Sequence, residues 1–501
     1  MKELDPQEKK TPRSEMQPFH VLAFTLAVIA LLTGILAVFP EDGLRITDDV
    51  VLYYPTWDDF FGEKEEVPDM REILAELEAA PDTHRPPVPT EPRDTLGSEA
   101  VIKKNLSKKI QYPGGDRSIL FPAFAALERA AQGPGTVRVL HFGDSQIEGD
   151  RMTSLIRVRL QEKFGGSGPG MVAARPLVKS FSVRQEYSES MNRYALFAGR
   201  DTMIKHRRYG VMATMSRFSQ PVVDSLINDE EEATGWFSLA RAGGAYNKSK
   251  QYSTLRLFYG YNRRPFNVKV FTDDTPFAED SFPTADRFRA ARWSFASTPK
   301  KIMVIMNGVD SPDIFGVSLE SATGVQVDNI SMRGSSGTVF GGIGYGSFKP
   351  MLDSLNPKLV LLQYGGNTVP YIRSKKAAEN YGKDFKRQIA FLKKQLPEAG
   401  FILIGPSDMA QKVKGQMQTF AFLEDVRDAL KQAAFESGAG YFDIYEVMGG
   451  RNSMIQWVEG EEKLAGSDYV HFTPRGAKLI AQSFINSLLE DYEVYKQNRT
   501  Q

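Results

Sequence analysis

Gly143-Asp144-Ser145 places a serine hydroxyl where the chain could carry out nucleophilic chemistry. An apolar run from Val137 to Phe142 ends at this block, and apolar residues at helical spacing follow it. The pattern predicts a strand, a tight turn and a helix, with amides nearby that can stabilise an oxyanion. Alone, the block is also ordinary turn and helix-cap chemistry. It therefore indicates a nucleophile only if a base can reach the serine.

The candidate base is a histidine near the end of the chain. A serine nucleophile needs a base within hydrogen-bond reach, and the base needs an orienting partner. The chain has five histidines, which are His20, His84, His141, His206 and His471. The first four fall in an apolar N-terminal stretch, a proline-rich segment, the predicted strand and a predicted inserted domain, which leaves His471. Asp468 is close enough to fix its tautomer. Alternatively, both residues only form a loop before a helix that begins at Thr473-Pro474.

Two further predicted strands end in glycine-rich loops. The run Leu359 to Gln363 leads into Tyr364-Gly-Gly-Asn367, and residues 325–330 lead into Ser331-Met-Arg-Gly-Ser-Ser-Gly337. Glycines after a strand suit a loop whose backbone amide must approach a ligand. Because the carboxyl ends of parallel strands share one edge of a sheet, these loops are expected near Ser145.

Taken together, these blocks resemble the SGNH hydrolase superfamily, also called GDSL-like esterases. The resemblance implies that Ser145 is the nucleophile, His471 the base and Asp468 its acidic partner. It also implies an oxyanion hole made by the amide of Ser145, the amide of Gly334 and the side chain of Asn367. Gly337 is the alternative to Gly334. Asp144 is expected to hold the serine turn.

Within the superfamily, the chain is most similar to periplasmic carbohydrate O-acetylesterases related to peptidoglycan O-acetylesterases. The segments that carry this similarity are 143–151, Gly405-Pro406, 443–450 with 453, 454 and 457, and 468–476. Two positions depart from the superfamily pattern: Gln146 replaces the usual Leu, and Thr368 follows Asn367 where many members have Asp. Neither change removes a catalytic atom, but both make lipase-type substrates less expected.

The order of predicted elements indicates an α/β protein. From residue 325 onward, strands and helices alternate, which predicts a doubly wound parallel sheet of three layers, of SGNH or flavodoxin-like type, built from residues 105–180 and 325–501. Between these segments, residues 181–324 contain short alternating strands, for example Leu255, Leu257 and Tyr259. They predict an inserted β-sandwich, and the resemblance implies that it is similar to a carbohydrate-binding module.

The N-terminal region predicts a membrane anchor. Residues 19–39 carry no formal charge, and about 20 apolar residues span a bilayer as a helix. A signal peptide is the alternative, but the stretch ends Val-Phe-Pro rather than at small residues. Basic residues precede it, so residues 1–18 are expected in the cytoplasm and the catalytic domain in the periplasm or outside the cell. Residues 40–104, with a proline-rich segment, are expected to form a stalk.

Composition and the resemblance together limit the function. The chain has 62 basic and 62 acidic residues, and this balance of charge argues against a nucleic-acid binder. It has no cysteine, which excludes disulfides and thiolate metal sites. No cofactor or metal is expected. The predicted function is a membrane-anchored serine esterase that deacetylates a cell-envelope polysaccharide. The alternatives are a polysaccharide O-acetyltransferase working with a membrane acyltransferase, and a non-catalytic envelope-binding protein.

Overall fold

A computed structural model describes residues 22–28, 33–34, 44–47, 50–52, 105–197, 203–221 and 231–499. The predicted tail at 1–18 and most of the predicted stalk at 40–104 lie outside the described residues. The chain divides into two units, Met1–Arg85 and Pro86–Gln501. In the first, residues 22–28 and 33–34 are helical, and β1 (Leu44–Thr47) pairs antiparallel with β2 (Val50–Leu52).

No helix among the residues that the structure describes is both long and apolar enough to cross a bilayer. Only part of the predicted anchor at 19–39 is described, so the anchor stays a prediction. The second unit contains every residue of the predicted active site.

A five-stranded parallel sheet forms the centre of the second unit. Its strand order is β15 (Thr323–Ser331), β3 (Gly135–Gly143), β16 (Pro357–Gln363), β17 (Gly400–Ile404) and β20 (Gly440–Phe442). These strands are almost wholly buried because helices cover both faces. In this order, the carboxyl ends of β15, β3 and β16 are adjacent, and these three ends lead into the predicted site loops.

Two helical layers sandwich this sheet. One face packs on α1 (Phe121–Gln132), α2 (Thr153–Phe164) and α8 (Pro474–Arg499), with the short helices α6 (Ile444–Met448) and α7 (Ser453–Glu459). The other packs on α3 (Tyr345–Leu355), α4 (Lys375–Gln395) and α5 (Leu423–Glu436). A small hairpin, β18 (Ala410–Val413) and β19 (Gln416–Thr419), lies between β17 and α5 in the chain. The α/β prediction with a parallel sheet is confirmed.

Two antiparallel sheets form the inserted region. One has the order β11 (Thr275–Phe282), β10 (Phe266–Thr272), β13 (Lys301–Gly308), β8 (Ala233–Arg241) and β5 (Val183–Tyr187). The other has the order β12 (Ala285–Ser294), β9 (Thr254–Asn262), β14 (Asp313–Glu320), β7 (Thr214–Arg217) and β6 (Asn192–Ala195). Alternate side chains such as Phe237, Leu257 and Val304 fill a shared apolar core. The strand β4 (Gly170–Val172) lies before residue 181 yet pairs with β14.

A buried ion cluster joins the two sheet systems. The Arg138 guanidinium on β3 donates to Asp328 on β15 at 2.7 and 2.9 Å, and also to Glu320 on β14. All three side chains are almost fully buried. Removing one partner would leave a buried charge uncompensated, which typically costs 3–5 kcal/mol, roughly. The inserted sandwich is therefore held against the edge strand that leads to Gly334.

Candidate active site

The strand-to-turn junction after β3 presents Ser145. A 3₁₀ turn spans Ser145–Asp150, and Asp144 caps it by accepting a 2.9 Å hydrogen bond from the Gln146 amide. Gly143 has no room for a side chain, since a Cβ there would lie 2.9 Å from Ile147 and 3.1 Å from the Gln363 carbonyl. We call residues 143–151 the nucleophile segment. Ser145 is half-buried between Asp144 and Gln146, which are both buried.

Ser145, His471 and Asp468 form a continuous chain of hydrogen bonds. Ser145 Oγ lies 2.8 Å from His471 Nε2, and His471 Nδ1 lies 2.6 Å from Asp468 Oδ2. When Nδ1 donates to the carboxylate, Nε2 holds the lone pair that accepts the serine proton. This is the geometry of a nucleophile, a base and an orienting acid.

The Asp468 carboxylate also shapes the loop that carries the base. Its Oδ1 accepts the backbone N–H groups of Val470 and His471, both at 3.0 Å, across a turn in which Tyr469 has a φ of +54°. Burial acts to raise the pKa of Asp468. The hydrogen bond with His471 and the charge of His471 lower it by more than burial raises it, so the pKa of Asp468 is below its usual value. The carboxylate is therefore ionised beside the imidazole, where it stabilises the imidazolium that forms on proton transfer.

Two side chains of the nucleophile segment hold this loop in place. We call residues 466–473 the histidine loop. Gln146 Nε2 donates to the Val470 carbonyl at 2.5 Å, and Gln146 Oε1 accepts from the Phe472 amide at 3.4 Å. Arg151 donates to the Phe472 carbonyl at 3.2 Å and to the Ser145 carbonyl. Gln146 and Arg151 therefore connect the nucleophile segment to the histidine loop through hydrogen bonds to Val470 and Phe472.

Sequence reasoning missed the bridging role of these two residues. It singled out Gln146 only as a departure from the family pattern and included Arg151 only in a matching segment. A buried glutamine where a family carries an apolar residue is a usable signal, because a buried amide needs hydrogen-bond partners.

The predicted oxyanion-hole residues follow the three adjacent strand ends. Gly334 follows β15, is exposed and has a φ of +75°. The alternative, Gly337, is buried; its amide donates to Ser335 Oγ at 3.1 Å and a Cβ there would clash with Tyr364 and Phe385. The geometry therefore favours Gly334 as the amide donor. Asn367 follows β16, and its amide nitrogen donates one hydrogen bond to the Ser335 carbonyl at 3.2 Å, which leaves its second N–H for a ligand.

The loop that carries Gly334 is tied to the nucleophile segment at two points. The Met332 amide donates to the Gly143 carbonyl at 2.7 Å. Arg333 donates three hydrogen bonds of 2.6 to 3.0 Å to the Glu148 carboxylate, which is buried. A charge-assisted pair of this kind holds the Gly334 backbone close to the serine turn.

The described residues contain no group of three or more His, Asp or Glu side chains arranged to hold a metal ion.

One segment of the chain matches a known protein family. Residues 305–479 match the GDSL-like Lipase/Acylhydrolase family, a range that contains Asn367, Asp468 and His471 but not Ser145. No curated protein matches the chain by sequence.

Solved structures extend the likeness beyond that range. The chain is similar to a peptidoglycan O-acetylesterase at 20% identity, with a TM-score of 0.56 over 74% of this chain and 96% of that one. Because the two hydrolase segments make up only about half of the chain, the match also includes inserted strands. A family two carbohydrate esterase from Clostridium thermocellum, in complex with cellohexaose, matches at 9% identity over 52% of this chain and 93% of that one, with a TM-score of 0.24. This second likeness is too distant to support an argument.

The matched range contains Asp468 and His471, and the structure joins these two residues to Ser145 by hydrogen bonds. Residues 305–479 therefore carry a GDSL-like acylhydrolase domain, which is the domain of an ester hydrolase.

Proposed function

We propose that this chain is a membrane-anchored serine esterase that removes acetyl groups from a cell-envelope polysaccharide. The observation that carries the chemistry is the hydrogen-bonded series from Ser145 Oγ through His471 to Asp468. The substrate class is supported by the shared fold with a peptidoglycan O-acetylesterase. The anchor and the extracytoplasmic location are supported by the uncharged stretch at 19–39 and by the basic residues before it.

In the first half of the reaction, Ser145 Oγ attacks the acetyl carbonyl while His471 Nε2 takes the hydroxyl proton. The carbonyl oxygen becomes an oxyanion, and the proposed donors to it are the Ser145 amide, the Gly334 amide and the Asn367 side chain. The bond from the carbonyl carbon to the sugar oxygen then breaks. His471 returns its proton to that oxygen, which leaves acetyl-Ser145 and a free sugar hydroxyl.

Water completes the cycle. His471 removes a proton from water as it attacks acetyl-Ser145, and the collapse of the second tetrahedral intermediate releases acetate and restores the serine hydroxyl with the proton from His471. If a sugar hydroxyl took the place of water, the same intermediate would yield an acetylated sugar. That outcome would make the chain an O-acetyltransferase, for which a membrane acyltransferase would be the donor partner.

The test uses the full chain and a small chromogenic acetyl ester. Ser145→Ala should lower kcat by about 10⁴- to 10⁶-fold, because loss of the nucleophile alone removes most of the rate in serine hydrolases. The matched control is Ser467→Ala, an exposed serine on the histidine loop, which should keep the wild-type rate. Retention of most activity in Ser145→Ala would remove Ser145 from the mechanism.

A second assay identifies the acyl acceptor. Wild-type protein and Ser145→Ala are incubated with isolated cell-envelope fractions, and both free acetate and acetylated oligosaccharide are measured. Serine-dependent acetate release supports the esterase, whereas newly acetylated sugar above the hydrolysis level would show transfer. A wild-type chain that neither releases acetate nor reacts with a serine-directed fluorophosphonate would point to a non-catalytic envelope-binding role.

A further inference from the structure

A cavity lies where the nucleophile segment meets the inserted sandwich. Its walls include Glu148 and Gly149 from the nucleophile segment, Ser331 at the end of β15, and Arg193 and Thr214 from the sandwich. We propose that this cavity is a subsite for an anionic group of the polysaccharide, a carboxylate or a phosphate, with Arg193 as its cationic partner. The inference rests on the proposed function, since it assumes a polysaccharide substrate at Ser145.

Arg193 is one of two arginines that line the cavity. It lies on β6, half-buried, with its guanidinium carbon 5.7 Å from the centre of the Phe197 ring. In the part of the chain that the structure describes, no oxygen accepts a hydrogen bond from it. The other lining arginine, Arg157, by contrast, donates to both oxygens of Asp150 at 2.5 and 3.0 Å. A guanidinium fork left open in a cavity suits bidentate binding of a carboxylate or phosphate.

The charges around Arg193 leave an excess of positive charge. The carboxylate of Glu148 also lines this cavity, but it is already paired, because Arg333 donates three hydrogen bonds to it. Burial lowers the pKa of Arg193, the charge of Glu148 raises it, and the charges of Arg175 and Arg333 lower it. Arginine nevertheless stays protonated in proteins. A partly desolvated cation without a partner is costly, so an anionic ligand would be stabilised here.

The subsite is close enough to the serine for one glycan to occupy both. Glu148 follows Ser145 by three residues, and Cα steps of about 3.8 Å limit their Cα separation to about 11 Å. Ser331 likewise precedes Gly334 by three residues. The cavity lining also includes the apolar residues Pro176 and Leu177, and Leu177 is 52% exposed. A sugar ring could rest on these apolar residues while its charged substituent reaches Arg193.

The experiment compares acetylated oligosaccharides that differ only in charge. One carries a carboxylate beside the acetylated sugar, the second has that carboxyl group reduced to an alcohol, and the third carries a phosphate instead. We expect wild-type kcat/KM to be about 10- to 100-fold higher for at least one charged substrate than for the neutral one, mainly through KM. The carboxylate and phosphate arms identify which anion is preferred.

Arg193→Gln should bring the charged-to-neutral ratio close to one, and Arg193→Lys should give an intermediate ratio because it keeps the charge without the fork. The matched control is Arg184→Gln, an exposed arginine on β5 that should keep the wild-type ratio. As a measurement that does not depend on a variant, the charged deacetylated oligosaccharide should inhibit wild-type hydrolysis of the small acetyl ester more strongly than its neutral counterpart.

Equal kcat/KM for charged and neutral substrates in the wild type, or an unchanged ratio in Arg193→Gln, would overturn the subsite. Failure of the proposed function looks different: the wild type would then hydrolyse neither the oligosaccharides nor the small ester, or Ser145→Ala would retain the activity.

Discussion

The nucleophile segment and the histidine loop hold their reactive groups by different means. The nucleophile segment continues directly from the inner strand β3, and Ile147 within it and Met152 directly after it are fully buried in the apolar core. The histidine loop is a half-buried turn, closed by hydrogen bonds from Gly466 to His471 and from Tyr469 to Gly466. The serine is therefore positioned by the fold, whereas the base is positioned by polar contacts.

This difference indicates which substitutions should disturb the serine and which should disturb the histidine. Packing against the core gives Ser145 a geometry that surface changes leave in place. His471 depends on Asp468 within its own loop and on Gln146 and Arg151 from the opposite segment. Substitutions of these partners should reduce the rate while the core, and hence the fold, stays intact.

The largest of these effects is expected for Asp468→Asn. The asparagine can still accept the backbone hydrogen bonds that close the turn, but it no longer holds the imidazole in the required tautomer or stabilises the imidazolium. We expect a loss of about 10- to 10,000-fold in kcat, the upper end being the loss in serine proteases. The measurement is hydrolysis of the small acetyl ester across a pH series.

The control for this change is Asp353→Asn, which alters an exposed aspartate on α3 that pairs with Lys349. It should keep the wild-type rate. If Asp468→Asn also kept the wild-type rate and pH profile, the aspartate and histidine would serve only as the start of α8.

The reactive residues were predictable because their signals are local. Ser145 and Asn367 each follow an apolar strand within a few residues, and Asp468 and His471 lie three residues apart, so their contact needs no knowledge of the fold. The alternation of strand and helix also predicted the parallel sheet, whose order places these loops side by side. The catalytic roles themselves stay predictions until the variants are measured.

The supporting contacts were not predictable in the same way. Gln146 and Val470 are separated by 324 positions, and Arg333 and Glu148 by 185. No periodicity links such residues, since their meeting depends on how the sheet and loops pack. The same holds for β4, which pairs with β14 across the border predicted at residue 181.

An intermediate effect is expected for Gln146→Leu. Leucine has a similar volume and is the residue that the superfamily usually carries at this position, so the change should be tolerated in the core. It removes the hydrogen bonds to Val470 and Phe472, which should let His471 move and lower kcat by about 10-fold, because small misplacements of a catalytic group are costly. Gln146 does not contact the reacting atoms in this interpretation, so KM should change little.

The control is Gln416→Leu, an exposed position on β19. Combining Gln146→Leu with Asp468→Asn separates a positioning role from simple destabilisation. Residues that act through the same histidine should give losses smaller than the product of the single losses, whereas independent effects would multiply. Multiplying losses would contradict the assignment of Gln146 to the positioning of His471.

The smallest effect on rate is expected at His141, a histidine on β3. Its substitution tests through folding stability whether the strand that leads to Ser145 is anchored in the core. It is fully buried between Thr153 at 2.9 Å and Gln363 at 3.1 Å. Burial lowers its pKa to about 4, although the hydrogen bond to Gln363 acts to raise it. As the pH falls from about 6.5 towards 4, the unfolded chain gains a proton at this histidine before the folded chain does, so folding stability is lost in that window.

His141→Gln keeps an amide that can reach Gln363 and removes the titration. The free energy of unfolding of the wild type relative to His141→Gln should therefore decrease by up to about 3 kcal/mol between pH 7 and pH 4, at about 1.36 kcal/mol per pH unit. Asp144, whose pKa burial raises to about 6, acts in the opposite direction, but it is present in both proteins and cancels in the comparison. Chemical denaturation at a series of pH values measures the difference. A constant difference across that range would mean that His141 titrates normally and that β3 is open to water at this point, in which case the nucleophile segment would not be the core-anchored half of the site.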